Sequence, residues 1–314
     1  TLALTLGLVP FMPAQAEWPD RPITMITANS PASSPGILGT LLAEYLSREL
    51  GERVIVQGKF GAFTIPATMA AKNAEPDGYT FYFAGNSPWA TVPFLLNKVP
   101  FDPWNDFDPI AMIFESSPLY IAVNPKIKAT NIPELVALAK QNPQKLSWAG
   151  SSTLGPIVGD LLNARAGVEL INVKYKKTSD AVQDTVAGRT SMICTGFAGI
   201  VSQIESGQLR VVGITGSNRL KDNPDIQTVN EFYPGFVAEG WFVLVGPKGF
   251  PSEAAKKLNA ATDKFLKDPV IIKRMKSWGM HSSGASNIAD IKKHMRQSNE
   301  LWTKIFQQVK VKKQ

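Results

Sequence analysis

Residues 23–50 read ITMITANSPASSPGILGTLLAEYLSREL, and the succession of residue types within them decides the fold. Ile23 to Ala28 is a short run rich in β-branched side chains, which suit the pleated surface of a strand. A loop of Asn, Ser, Pro and Ala follows. Gly36 to Leu50 then carries apolar residues at Ile37, Leu38, Leu41, Leu42, Tyr45 and Leu46, the repeat of a helix that buries one face. Gly51 stops it, as glycine does where a chain leaves a helix left-handed. Strand, tight loop and helix form the half-unit of an α/β protein built on a mostly parallel sheet.

The same unit recurs outward from this stretch. Strands are expected at Arg53 to Val56 and Tyr79 to Ala84, with a short helix at Ala67 to Ala74 closed by the turn Glu75-Pro76-Asp77-Gly78. After Asn124-Pro125 a second block begins. It alternates helix Ile132 to Gln141, strand Leu146 to Ala149, helix Pro156 to Ala166 and strand Leu170 to Tyr175. Helix Ser179 to Ala187, strand Ser191 to Thr195, helix Ala198 to Ser206 and strand Leu209 to Thr215 continue it. Beyond Pro234-Gly235 come a strand at Val237 to Val245 and three helices, the last being the long amphipathic Ile288 to Val309.

Those terminal helices need a sheet to cover, and returning them to the first block leaves the middle block inserted. The expectation is therefore α/β, two domains joined by two crossover strands, with a ligand cleft between them. Domain 1 comprises 17–124 plus 238–314 and domain 2 comprises 125–237, hinged near Tyr120 to Asn124 and Ala238 to Phe242. A mature chain close to 300 residues exceeds the size at which one core keeps growing, roughly 250 to 300 residues.

Residues 1–16 stand apart. Thr1 to Val9 is uncharged and apolar, Pro10 and Pro13 break it, and Ala14-Gln15-Ala16 places small residues where a signal peptidase reads. The stretch is too short for a bilayer core that needs ~20 residues, so it reads as the tail of a signal peptide, with the mature protein starting near Glu17 in the periplasm.

Composition narrows the chemistry. With 44% hydrophobic and 19% charged residues the chain is an ordinary water-soluble globule. Cys194 is the single cysteine, which excludes a disulfide framework and a thiolate metal site and suits a small buried hydrophobe. The 33 Lys and Arg against 26 Asp and Glu give +7. These cations are spread out, Lys174, Lys176 and Lys177 and the terminal Lys310, Lys312 and Lys313 being the densest groups. Neither group is interleaved with aromatics as a nucleic-acid groove requires; a mild positive field instead favours small anionic ligands.

Catalytic signatures are missing. His281 and His294 are the only histidines, and neither lies in a nucleophile context; on an amphipathic terminal helix a histidine is usually surface. Gly85-Asn86-Ser87-Pro88-Trp89 starts like a nucleophile elbow but ends in Trp where close packing needs Gly. Gly58-Lys59-Phe60-Gly61 lacks the remainder of a phosphate loop, and no acidic or His-based metal cluster occurs. No cofactor or metal is expected, and a secreted serine hydrolase using Ser87 is the alternative from another class.

Small polar residues do cluster where strands hand over to helices. Ser33-Ser34-Pro35-Gly36 is read with Ser34 as N-cap and Pro35 as first helical residue, leaving N–H groups and the positive helix end facing outward. Thr153-Leu154-Gly155-Pro156 and Thr178-Ser179-Asp180 repeat the device. In open α/β sheets ligands sit outside such strand ends. The candidate ligand residues are Asn29, Ala32, Ser33, Ser34, Asn86, Ser87, Ser151, Ser152, Thr153, Leu154, Thr178, Thr195 and Phe197. Phe63, Trp89, Leu154 and Phe197 add an apolar slot between them, suited to a ring or a hydrocarbon spacer.

Several segments carry a resemblance: Trp18-Pro19-Asp20-Arg21-Pro22-Ile23, Pro76-Asp77-Gly78-Tyr79-Thr80, Pro100-Phe101-Asp102-Pro103-Trp104-Asn105-Asp106-Phe107, Val173-Lys174-Tyr175-Lys176, Gly207-Gln208-Leu209-Arg210 and Gly240-Trp241-Phe242. Through these, from Trp18 to near Val309, the chain resembles the substrate-binding proteins of tripartite tricarboxylate transporters, the Bug or Bordetella uptake family. The resemblance implies a two-domain periplasmic binding protein fold, a monomer that closes on a small carboxylate, and delivery to membrane permease subunits. It also implies a carboxylate held by backbone N–H groups, hydroxyls and waters, with no arginine clamp.

The chain departs from the family pattern at four places. Ala32-Ser33 stands where the family usually has Gly-Gly, Pro35-Gly36 where it has Thr-Asp, Lys177 where a loop glycine is common, and Thr195 where an acidic residue often ends the strand. The last change removes an ammonium partner and argues against an amino-acid ligand. An aromatic dicarboxylate such as terephthalate is the expected ligand, with a longer aliphatic diacid next. Presentation of the ligand to a membrane histidine kinase is a further possibility the sequence leaves open.

Overall fold

The computed structural model describes residues 17–150, 154–308 and 313; the expected leader at 1–16 and the candidates Ser151, Ser152 and Thr153 lie outside them. The first lobe opens with β1 (Ile23–Thr27), α1 (Ser34–Leu50), β2 (Val54–Gly58), α2 (Ile65–Lys72) and β3 (Thr80–Gly85). Two short helices, α3 (Ser87–Ala90) and α4 (Val92–Leu95), lead to the long strand β4 (Phe107–Pro118). The chain then crosses into β5 (Tyr120–Val123), α5 (Ile132–Gln141), β6 (Ser147–Gly150), α6 (Leu154–Ala166), β7 (Ile171–Lys174) and α7 (Thr178–Val186). The second lobe ends with β8 (Met192–Thr195), α8 (Val201–Glu205) and β9 (Arg210–Ile214). A second crossing brings β10 (Glu239–Pro247) back, followed by α9 (Ser252–Lys267), α10 (Pro269–Ser277) and α11 (Ile288–Phe306).

Each lobe is built on one five-stranded sheet, with orders β2-β1-β3-β10-β4 and β7-β6-β8-β5-β9. Within each sheet three neighbouring strands are parallel, and the strand that has just crossed from the other lobe runs antiparallel between its neighbours. Tyr120 pairs with Thr195 and Ile214, so the change of sheet falls between Pro118 and Tyr120, ahead of the boundary expected at Asn124. The reason is that β5 is buried at every position, and a continuous apolar run has no polar face to say which sheet it joins.

The helices bury the faces their spacing calls for. Leu38, Leu42 and Leu46 of α1 are wholly buried with Ile23, Met25, Phe81 and Phe83, each leucine contributing roughly 1.5–3 kcal/mol. Trp148 fills the second lobe among Ile157, Leu161 and Leu162, and its Nε1 donates to the Gly155 carbonyl at 2.9 Å. Cys194 is buried there too, and burial pushes its thiol well up. Two expected helices end differently. Ala198 to Ser206 is broken at Ile200 into a 3-10 turn, Phe197–Gly199, and the short α8, and α11 stops at Phe306. The end of α11 also bridges the lobes: Trp302, Ile305 and Phe306 pack in one core with Leu95 of α4 and with Leu135 and Leu161 of the second lobe, Phe306 stacks on Phe94 at 4.6 Å, and Arg165 donates to Gln308.

Candidate functional site

The parallel strands β1 and β8 end in loops that meet across the seam between the lobes. A Cβ placed on Gly199 would lie 3.5 Å from Thr178 Cγ2, 3.7 Å from the Ala32 carbonyl oxygen and 3.9 Å from Thr195 Oγ1. One placed on Gly196 would lie 2.6 Å from Ser34 Oγ, and one on Gly240 3.5 Å from Leu154 Cδ1. Ala32, Ser34, Thr178, Thr195 and Phe197 are thereby gathered around one short 3-10 turn, and Leu154 lies against β10 at Gly240. Gly196 and Gly199, which hold that turn, escaped the sequence reading; the Thr195-Gly196-Phe197-Ala198-Gly199 pattern at a strand end was the available signal.

The loop between β1 and α1 is built differently from the expectation. Ser33, not Ser34, is the N-cap of α1, and Pro35 is the second helical residue. The Ser33 hydroxyl accepts from the Gly36 amide at 3.2 Å and donates to the Ser30 carbonyl at 2.7 Å, so it is spent on the loop. Gly36 permits this, because a Cβ there would sit 1.9 Å from the Ser30 oxygen. Ser34, moved inside the helix, is 3% exposed, and its Oγ meets no hydrogen-bond partner. A buried hydroxyl left unpaired costs about 1–3 kcal/mol.

The other candidates divide. Thr178 is the first residue of α7, Lys177 occupying the N-cap position with no side-chain cap bond; lysine has no acceptor to offer. Asn29 turns inward, its backbone and side-chain N–H groups both donating to Thr27 Oγ1 at 3.1 Å. Asn86 and Ser87 are buried at the start of α3, with the Asn86 amide donating to the Trp241 carbonyl at 3.0 Å. Of the apolar four, Trp89 belongs to the core: it is buried, its Nε1 donates to the Pro103 carbonyl at 2.6 Å, and it packs on Phe107 and Trp241. Its position one turn into a helix hides it, as bulky aromatics are mostly hidden. Leu154 is also buried, Phe63 packs partly buried against the core that Leu154 joins, and Phe197 lies 4.7 Å from the Tyr120 ring. Phe63 (φ 55°) and Thr64 (φ 68°) are consecutive left-handed residues without glycine's freedom, a strain that clusters at functional loops.

The buried polar side chains are all hydroxyls and amides; no carboxylate, ammonium or guanidinium is buried among the described residues. Burial pushes the Tyr120 phenol up, and its oxygen has no partner. His294 is not the surface residue its helix suggests: its ring packs edge-on to Trp241 at 5.7 Å, burial lowers its pKa, and a hydrogen bond to the Glu115 carbonyl partly offsets this. Its Nε2 is unpartnered, so it does not serve Ser87.

The crossing strands are laced together beside the site. Thr215, fully buried, accepts at Oγ1 from the Leu119 amide (2.9 Å) and donates to the Ala238 carbonyl (2.6 Å), while its amide and carbonyl bond the same two residues at 3.0 Å. Glu239 accepts from Ser116 Oγ at 2.7 Å and from the Ser217 amide at 2.9 Å. Sequence alone offered no signal for either residue.

Two α/β lobes joined by crossing strands, with uncharged donors and apolar groups facing across a seam at their strand ends, define a two-domain solute-binding protein. Residues 39–311 match the tripartite tricarboxylate transporter family receptor model, and the chain belongs to that family. It is 32% identical to a UPF0065 protein of Bordetella bronchiseptica, over 99% of this chain and 94% of that protein. The structure of the periplasmic binding protein BugD is similar, with a TM-score of 0.87 at 28% identity over 95% of this chain and all of that one. Rpa4515 of R. palustris, solved with adipate, shares the fold at 24% identity and a TM-score of 0.87, over 93% of this chain and 98% of that one.

Proposed function

We propose that this protein is a periplasmic receptor for a small organic dicarboxylate with an apolar spacer, an aromatic diacid such as terephthalate ahead of an aliphatic diacid of similar length. In this reading residues 1–16 direct export and are removed, and a monomeric mature chain delivers its ligand to the membrane permease subunits of a tripartite tricarboxylate transporter. The lobes are assigned as 17–118 with 239–314 and 120–237, meeting at Leu119 and Ala238.

The observation that carries the reading is the unpartnered Ser34 hydroxyl, buried at the N-terminus of α1 against Gly196 of the loop after β8, which carries Phe197 and lies beside Thr178 and Thr195. Helix N-termini and hydroxyls suit a carboxylate, and the uncharged buried side chains suit an anion whose charge is met by dipoles. Phe63, Leu154 and Phe197 supply the apolar middle. A tricarboxylate requires more compensation than these groups offer. Thermal-shift titration tests this: a ligand at 100 times its Kd adds ~2.7 kcal/mol to the folded state, so terephthalate or adipate must raise the midpoint where citrate and glutamate leave it unmoved. The reverse order overturns the ligand assignment, and no response to any carboxylate overturns the receptor reading.

A further inference from the structure

Gly196 is not where it is for backbone freedom. Its φ of −69° and ψ of 147° are ordinary extended values open to any residue. What sets it apart is the space in front of it: a Cβ there would stand 2.6 Å from Ser34 Oγ and 3.1 Å from Ser34 Cβ, closer than packed atoms approach. Ser34 is 3% exposed with no partner for its hydroxyl, so the two residues meet across the seam, one from each lobe, at a candidate side chain that is both buried and unpaired.

We propose that Gly196 is a positioning residue of the ligand site: by lacking a Cβ it lets the loop after β8 seat on Ser34 and so brings the Ser34 hydroxyl to the ligand oxygen. The proposal rests on the reading of the seam as a carboxylate site, and it adds a residue that touches no ligand itself. Gly199 makes a milder version of the same approach, since its nearest neighbours lie at 3.5 Å or beyond, ordinary contact that an added methyl group tolerates.

The test uses the full mature chain carrying spin labels on Glu44→Cys and Lys140→Cys, both exposed on opposite lobes, while Cys194 stays buried and unlabelled. Gly196→Ala lengthens the distance between labels without any added acid and weakens terephthalate binding by about tenfold or more, the effect expected when an extra methyl group strains a packed contact. Its unfolding midpoint stays near that of the parent, because the strain is relieved by opening. Adding Ser34→Gly, which removes both atoms the new Cβ would strike, restores the parental distance and leaves an affinity equal to that of Ser34→Gly alone. Parental distance and affinity in Gly196→Ala overturn the proposal, as does a double variant that stays as open as the single one. A parent chain that binds no carboxylate defeats the receptor reading instead, and the label distances still decide whether Gly196 seats on Ser34.

Discussion

Replacing Thr215 with Val tests how the crossing strands hold the two lobes. The substitution keeps the β-branched shape and deletes one hydroxyl, which accepts from the Leu119 amide at 2.9 Å and donates to the Ala238 carbonyl at 2.6 Å. Thr215 and Ala238 are both fully buried, so water does not replace the lost partner without opening the structure. One N–H and one C=O are left unpaired, at about 1–3 kcal/mol each. The two backbone bonds between Thr215 and the same residues survive, which holds the total near the lower part of the sum, ~2–4 kcal/mol. At roughly 2–4 °C per kcal/mol for a chain of 150–250 residues, and no more for this longer one, the midpoint falls by ~4–16 °C. Differential scanning calorimetry measures it, with Thr215→Ser as the control that keeps both bonds. A Val variant melting within about 1 °C of the parent refutes the claim that this hydroxyl ties the crossing.

Three further outcomes follow from the same geometry. Phe197→Ala weakens an aromatic diacid by roughly 1–3 kcal/mol through lost burial and ring contact; calorimetric titration reads it, and an unchanged Kd takes Phe197 out of the site. Ser33→Ala, because the hydroxyl caps α1 and bonds Ser30, lowers folding stability by ~1 kcal/mol with little change in ligand affinity; a large loss of affinity at parental stability returns Ser33 to direct ligand contact. His294, whose pKa burial lowers from 6.5, takes up its proton in the unfolded chain before the folded one. Its contribution to stability is therefore present above pH 6.5 and lost as pH falls below that value toward the lower folded pKa. Denaturant midpoints measured from about pH 7.5 to about pH 5 decline less in His294→Asn than in the parent.

The strand, loop and helix of 23–50 were legible because each boundary is written in local chemistry: β-branched residues, then Ser33, Pro35 and Gly36, then a clean helical repeat. The helix at Ile132 to Gln141 stands where its Asn131 cap and spacing place it. Strand β4 was harder to see, because Pro109 and Pro118 interrupt it and its pairing with β10 carries register shifts. At the site, the sequence brought out the hydroxyl-rich loops. It exchanged the roles of Ser33 and Ser34, since two adjacent serines before a proline are equivalent until the turn at Ser30 is formed. Thr215 was beyond local reading: it matters through partners far along the chain, and nothing beside it in sequence marks the contact.

The most direct test of the receptor reading is a crystal structure of the mature protein grown with terephthalate. Density for the diacid is expected in the seam, with one carboxylate within hydrogen-bond distance of Ser34 Oγ, the ring against Phe197, and the second carboxylate toward Thr178 or Thr195. A diacid bound elsewhere, or one bound in the seam with Ser34 Oγ still unpaired, contradicts it.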